Sequence, residues 1–260
     1  MVFWQQLIIV CTLVFFAGLV DAVAGGGGII SLPAYLAAGL PFSIARGCNK
    51  FSSVIGLTLS SARCIKRRKV HYRAAASAGI TALIGSSVGA WLSIVLDNYD
   101  TRYFQYTMIA SLPILAVFIL TNKRVGDSVP KKDLPFAKLL ILSGLAGLVI
   151  GCYDGFFGPG AGTFLIIVFN AVIGFDILTA SGTAKLVNFA SNLAALITFL
   201  RDGDILFTLA VPAALFSVLG TIVGTKLAFK NGAKIIRPAF VAVLGLLLVK
   251  IIFDLFTQIK

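Results

Sequence analysis

Glutamate is absent from this chain of 260 residues, and each of its ten acidic side chains is an aspartate. Histidine occurs once, as His71. The four cysteines, Cys11, Cys48, Cys64 and Cys152, show no CxxC or Cys/His spacing and stand in or beside apolar runs. That pattern indicates neither a disulfide framework nor a zinc site. They read as small buried hydrophobes, although Cys48 and Cys152 stand near the repeated motifs below. With no HExxH and no histidine inside an apolar run, an intramembrane enzyme is disfavoured, and no metal or cofactor is expected. Charge is scarce altogether, at 12% of residues against roughly 25% in soluble domains. Hydrophobic residues make up 58%, so the chain reads as an all-α polytopic membrane protein with no stretch left for a soluble domain.

What is present is a duplication, the pattern that sets an architecture. Asp21 and Gly25 in VDAVAGGGGII correspond to Asp154 and Gly158 in YDGFFGPGAGTF. Gly47, Asn49 and Lys50 then match Gly182, Ala184 and Lys185 at an offset of 135, which also pairs Gly85 with Gly220 and Gly89 with Gly224. Apolar segments follow at Phe3 to Val23, a short Ile29 to Leu40, Ile44 to Ala62, Ala74 to Leu96 and Tyr103 to Thr121. The second set is Phe136 to Tyr153, a short Gly160 to Ile173, Thr179 to Leu200, Ile205 to Phe229 and Ala239 to Phe256. The chain thus divides into a first transmembrane repeat (1–121), a connector (122–135) and a second repeat (136–260). The first segment resembles a signal peptide but lacks a basic n-region and has a counterpart deep in the chain, so it is kept as a span.

Five segments per half is an odd number, and the second repeat therefore enters from the opposite side: the repeats are inverted, with short broken or re-entrant helices near the midplane. Fifteen of the 22 basic residues fall in three places, Arg63 to Arg73, the connector region Lys123 to Lys138, and Lys226 to Arg237. If each short segment returns the chain to the side it came from, all three lie on one face. By the positive-inside rule that face is cytoplasmic and both termini are outside, in an inner membrane. The net charge of +12 is then a partner of anionic lipid rather than of nucleic acid.

Glycine breaks inside lipid must be buried in protein or line a wet cavity. Gly25, Gly26, Gly27 and Gly28 in one half, with Gly158, Gly160 and Gly162 in the other, mark the candidate binding site, where short helices can turn N–H groups toward an anion. RGCNK and SGTAK place Lys50 and Lys185 near the starts of long apolar segments. A lysine inside a span costs about 2.5–3.5 kcal/mol and usually faces a cavity or partner, with snorkelling as the alternative for Lys50 and more so for Arg46. Asp21 and Asp154 are expected to pair each with the lysine of its own repeat, and proton or cation coupling would act there. Asn49, Thr183 and Asn188 add neutral hydrogen bonds, with Ser31, Thr163, Ser191 and Asn192 nearby; Asn188, Ser191 and Asn192 share one helical face. His71 falls in a basic loop and reads as solvated. The glycines at 85, 89, 220 and 224 form small-xxx-small pairs for close helix packing, expected between the halves.

The GGGG run followed by LPAYLAAGLP, the RGCNK and SGTAK pair, and the duplication over the whole chain resemble the TauE/SafE sulfite exporter family, also called the 4-toluene sulfonate uptake permease family. The resemblance implies secondary transport of sulfite, a sulfonate or a related organic sulfur anion. Family members carry a GT dipeptide in both halves where this chain has Gly47-Cys48 in the first, and Pro159 and Ala161 interrupt its second glycine motif. Unequal contributions from the two halves are therefore expected. An anion channel, or a membrane scaffold docking a soluble partner, is the alternative function, and the sequence leaves a homo-oligomer open.

Overall fold

A computed structural model describes residues 2–99, 134–232, 234 and 235. The fifth and tenth apolar segments, and the connector up to residue 133, lie outside the described residues. Among those described, the elements are helices: α1 (Phe3–Ala24), α2 (Gly28–Ala37), α3 (Phe42–Lys66), α4 (Tyr72–Tyr99), α5 (Phe136–Phe156), α6 (Ala161–Ile167), continued by a π-helical turn (Val168–Val172), α7 (Ile177–Asp202) and α8 (Phe207–Asn231). Five of them, α1, α4, α5, α7 and α8, are long and apolar enough to cross a membrane. At 25 residues α3 has the length, yet Arg46, Asn49, Lys50 and its serines dilute its apolar character. Arg46, Asn49, Lys50, Ser52, Ser60 and Ser61 are buried, because α3 packs against α7 at the centre of the bundle.

The helices do not pack in chain order. The largest contacts of α4 are with α5 and α7, and those of α8 are with α1 and α3, so each half lays one helix on the other half. Glycine makes the approach close. A side chain on Gly85 would strike the Leu148 carbonyl of α5, and one on Gly220 would strike the Phe15 carbonyl of α1. Gly89 and Gly224 sit likewise against the carbonyls of Cys152 and Leu19, which makes the small-xxx-small pairs of the sequence helix-packing contacts.

The outward faces are apolar. Ile80, Ile84 and Trp91 on α4, Ile141 and Val149 on α5, and Leu215 and Leu219 on α8 are exposed, as suits helices whose solvent is lipid rather than water. The interior inverts this pattern. Lys50, Asp154 and Lys185 are each no more than 4% exposed.

Candidate functional site

Each glycine motif ends one helix and begins another. Gly25, at φ +75°, closes α1 with its N–H donating to the Asp21 carbonyl, the left-handed helix stop that glycine adopts without strain. Gly158 (φ +99°) and Gly160 (φ +84°) turn the chain between α5 and α6. The two breaks meet. A side chain on Gly25 would run into the Gly162 backbone, one on Gly162 into the Gly25 carbonyl, and the Thr163 hydroxyl donates to the Ala24 carbonyl at 2.9 Å.

Around this junction lies a cavity of ≈ 20 Å³, enough for about one water molecule. The structure brings ten of the expected residues to its wall: Asp21, Gly25, Gly28, Asn49 and Lys50 from the first half, and Asp154, Gly158, Gly160, Gly162 and Asn188 from the second. Ser53, Leu57 and Asn192 complete the lining. Neither Cys48 nor Cys152 reaches it; the Cys48 sulfur accepts the Leu206 N–H at 3.4 Å instead.

The ion pairing runs across the repeats, which corrects the expectation of pairs within each one. Lys50 Nζ donates to Asp154 Oδ1 at 2.7 Å, and the Asn192 amide donates to Asp154 Oδ2 at 2.9 Å. The Ser191 hydroxyl also donates to Asp154 Oδ2. Lys50 therefore does not snorkel: its ammonium is turned inward and 2% of the residue is exposed. Lys185 crosses in the other direction, donating to the Ala22 carbonyl at 2.5 Å. Its backbone neighbour Asp21 accepts the Gly27 N–H on Oδ1 at 3.2 Å. Asn49 Oδ1 accepts the Ser31 hydroxyl at 2.5 Å, and the Asn188 carbonyl accepts the Asn192 amide at 2.8 Å. Removing one member of so buried a pair is costly, because it strands the other charge.

Five expected residues lie off the cavity wall. Gly26 caps the start of α2, its carbonyl accepting the Ile29 N–H, and Gly27 lines a separate small cavity beside Asp21. Lys185 approaches the junction through backbone. Thr183 serves a loop, donating to the Thr179 carbonyl and accepting the His71 N–H at 3.0 Å. Arg46 is not paired with Asp21 or Asp154: it is 4% exposed, bonded to Asp204 at 2.9 Å and Asp97 at 3.4 Å, with Phe199 against its guanidinium. Burial pushes the Asp204 carboxyl above its ordinary value despite the opposing pull of Arg46. His71 is likewise not freely solvated; its ring stacks on Phe175 and its Nδ1 accepts the Ala74 N–H at 3.3 Å.

Ser53 and Leu57 are the wall residues that sequence reasoning missed, and the duplication held the signal for them. The offset of 135 pairs Ser53 with Asn188 and Leu57 with Asn192. These are the positions that line the cavity from α3 and α7.

Comparison with known proteins agrees with this architecture. The chain is 33% identical over 242 residues to a "Probable membrane transporter protein ORF9" of Sinorhizobium, covering 92% of this chain and 90% of that one. It is 31% identical to a "Probable membrane transporter protein" of Haemophilus influenzae (92% of each chain). Against "Probable membrane transporter protein YfcA" of Escherichia coli K12 the identity is 31%, over 92% of this chain and 86% of the relative. No solved structure gives a significant match. The family model described as "Sulfite exporter TauE/SafE" matches residues 10–251. The chain is a multi-pass membrane transporter protein that belongs to the TauE/SafE sulfite exporter family.

Proposed function

We propose that this protein is a secondary transporter of a small sulfur anion, sulfite or a sulfonate, working by alternating access between two inverted repeats. It sits in an inner membrane with its basic loops in the cytoplasm and both termini outside. The observation that carries the reading is the Lys50–Asp154 pair, a lysine of one repeat neutralised by the aspartate of the other where the two glycine breaks meet. An ammonium held in this way is a latent anion site. An arriving oxyanion competes with Asp154 for Lys50, with Asn49, Ser53 and Asn188 on the same wall to hydrogen-bond its oxygens.

Two further observations support alternation. A cavity of ≈ 20 Å³ is too small for a four-atom oxyanion, so binding requires the helices around it to part. Contacts also recur at equivalent positions: Gly47 against the Asp204 carbonyl, Gly182 against the Lys69 carbonyl, each pair shifted by 135. Such equivalence is what two inverted copies rocking about a shared site require. The carboxylate released when Lys50 turns to the anion needs its own compensation, which a coupling proton or cation supplies. The sulfur class follows from the family's name.

The test is uptake of radiolabelled sulfite into liposomes holding the purified protein, with phosphate and acetate as competitors. Saturable uptake inhibited by sulfonates and lost in Lys50→Gln is expected. Carboxylate transport with no sulfite transport would remove the substrate class, and single-channel currents would replace the transporter by a channel.

A further inference from the structure

We infer that Asp21 forms a sodium-ion site, distinct from the anion cavity but sharing a wall with it; its role in coupling rests on the transporter reading above. A second cavity, of ≈ 10 Å³, lies between α1, α2, α3 and α8, and the polar residues that line it are Asp21, Ser31, Ser52, Ser53, Ser217 and Thr221. Among the described residues, no lysine or arginine lines it. Its volume is about that of one water molecule or one dehydrated ion. A single carboxylate among neutral hydroxyls is an all-oxygen set, which hard cations prefer, and one formal charge matches a monovalent ion better than a divalent one. A proton would need the carboxylate alone and would give the Ser53 and Ser217 hydroxyls on the same cavity no role; Ser31, Ser52 and Thr221 also donate to the Asn49 side chain, the Asn49 carbonyl and the Gly18 carbonyl.

The duplication shows what makes Asp21 different from its counterpart. Asp154 is fully engaged by the Lys50 ammonium, the Ser191 hydroxyl and the Asn192 amide. At the offset of 135, Gly56 stands in the place of Ser191 and Leu57 in the place of Asn192. Lys185, which corresponds to Lys50, gives its ammonium to the Ala22 carbonyl rather than to the Asp21 carboxylate. Among the described residues, the hydrogen bond to Asp21 comes from the Gly27 N–H. The groups that satisfy one carboxylate are thus absent around the other, and a cavity takes their place. Gly56 keeps it open, since a methyl group there would press on Ser217 Oγ and Thr221 Oγ1.

Charge balance gives the second site its purpose. Asp21, Asp154, Lys50 and Lys185 cancel one another in formal charge, and Asp21, Lys50 and Asp154 line one cavity. An anion bound beside them adds an uncompensated negative charge in a medium where such charges are costly. The two cavities share Asp21 and Ser53, so a sodium ion in one offsets an anion in the other across a common wall.

The experiment is thermal melting of the purified full-length protein in NaCl, KCl or choline chloride at equal ionic strength and fixed pH. A saturable rise in Tm with NaCl, absent with the other two salts, is expected. Asp21→Asn and Gly56→Ala should abolish it. Ser217→Ala and Thr221→Ala, which keep every charge and so carry the test if Asp21→Asn fails to fold, should each weaken the apparent sodium affinity at least threefold. Equal responses to the three salts, a response that follows pH instead of sodium, or a sodium response untouched by Gly56→Ala and Ser217→Ala would overturn the site. A sodium response without sodium-stimulated sulfite uptake in liposomes upholds the site and overturns its coupling role. An intact sodium response with no sulfite uptake under any gradient upholds the site and counts against the sulfite transporter.

Discussion

Lys50 and Asp154 are each about 2% exposed, and their separate removal should have unequal consequences from their joint removal. Lys50→Gln leaves a carboxylate buried with only Ser191 and Asn192, at a cost of roughly 3–5 kcal/mol when a buried pair is broken. The double variant Lys50→Gln/Asp154→Asn strands no charge and should recover most of the lost Tm, with a coupling energy visible in the double-mutant cycle. Its sulfite uptake should stay absent. A double variant that transports would show that the lysine does not meet the anion. His71 offers a pH-dependent counterpart outside the spans. Burial, with the Arg73 charge adding to it, lowers its imidazole below the ordinary 6.5, so the folded form favours the neutral ring that accepts the Ala74 N–H. A depressed folded value means that its stabilisation is complete above 6.5 and is lost as pH falls through the lowered value. Tm should therefore decline below pH 6.5 in the parent protein and decline less in His71→Gln. At this scale the sequence was informative about which residues are buried charges and uninformative about partners. Lys50 pairs with Asp154 because α3 and α5 both pack on α7, a relation that no spacing along either repeat encodes.

Helices one by one were largely legible, since apolar runs and glycine stops are local signals. Gly25 and the Gly158–Gly160 turn stand where the breaks were expected. The π-helical turn at Val168–Val172 went unread, because it differs from an α-helix in hydrogen-bond register rather than in composition. The polar α3 was placed within three residues of its start, yet its burial at the centre depends on α7. Gly158→Ala tests the break directly. The residue holds φ +99° and an added methyl group would press on Lys50 Nζ and the Asp154 carboxylate. Strain of about 1–3 kcal/mol should lower Tm by several degrees, and uptake should fall more than stability alone accounts for. Gly85→Leu, which forces α4 off the Leu148 carbonyl, should instead reduce the folded fraction recovered by gel filtration, and any protein that survives should transport normally.

Across the whole molecule, the duplication predicted that two equivalent breaks would converge, and in the structure they touch. Its glycine pairs at 85/89 and 220/224 also pointed to packing between the halves, and α4 and α8 each lie mainly on the opposite half; which helix receives each was not legible, because packing partners depend on three-dimensional closure. The proposed orientation has a direct check. A cysteine at Asp202 should react with a membrane-impermeant maleimide in intact cells, while one at Lys69 should react only after permeabilisation; the reverse pattern would place the basic loops outside. The contacts at Gly47 and Gly182 bear on such an orientation. Each glycine meets a carbonyl oxygen, that of Asp204 in one case and of Lys69 in the other, and a carbonyl is the same whichever side chain follows it. The seam between the halves is written in backbone at Lys69, where a change of side chain alters loop charge without disturbing it, whereas Asp204 also holds the buried Arg46 guanidinium beside the seam. Two loops of opposite charge, one basic around Lys69 and one acidic around Asp204, can therefore meet the same kind of glycine joint.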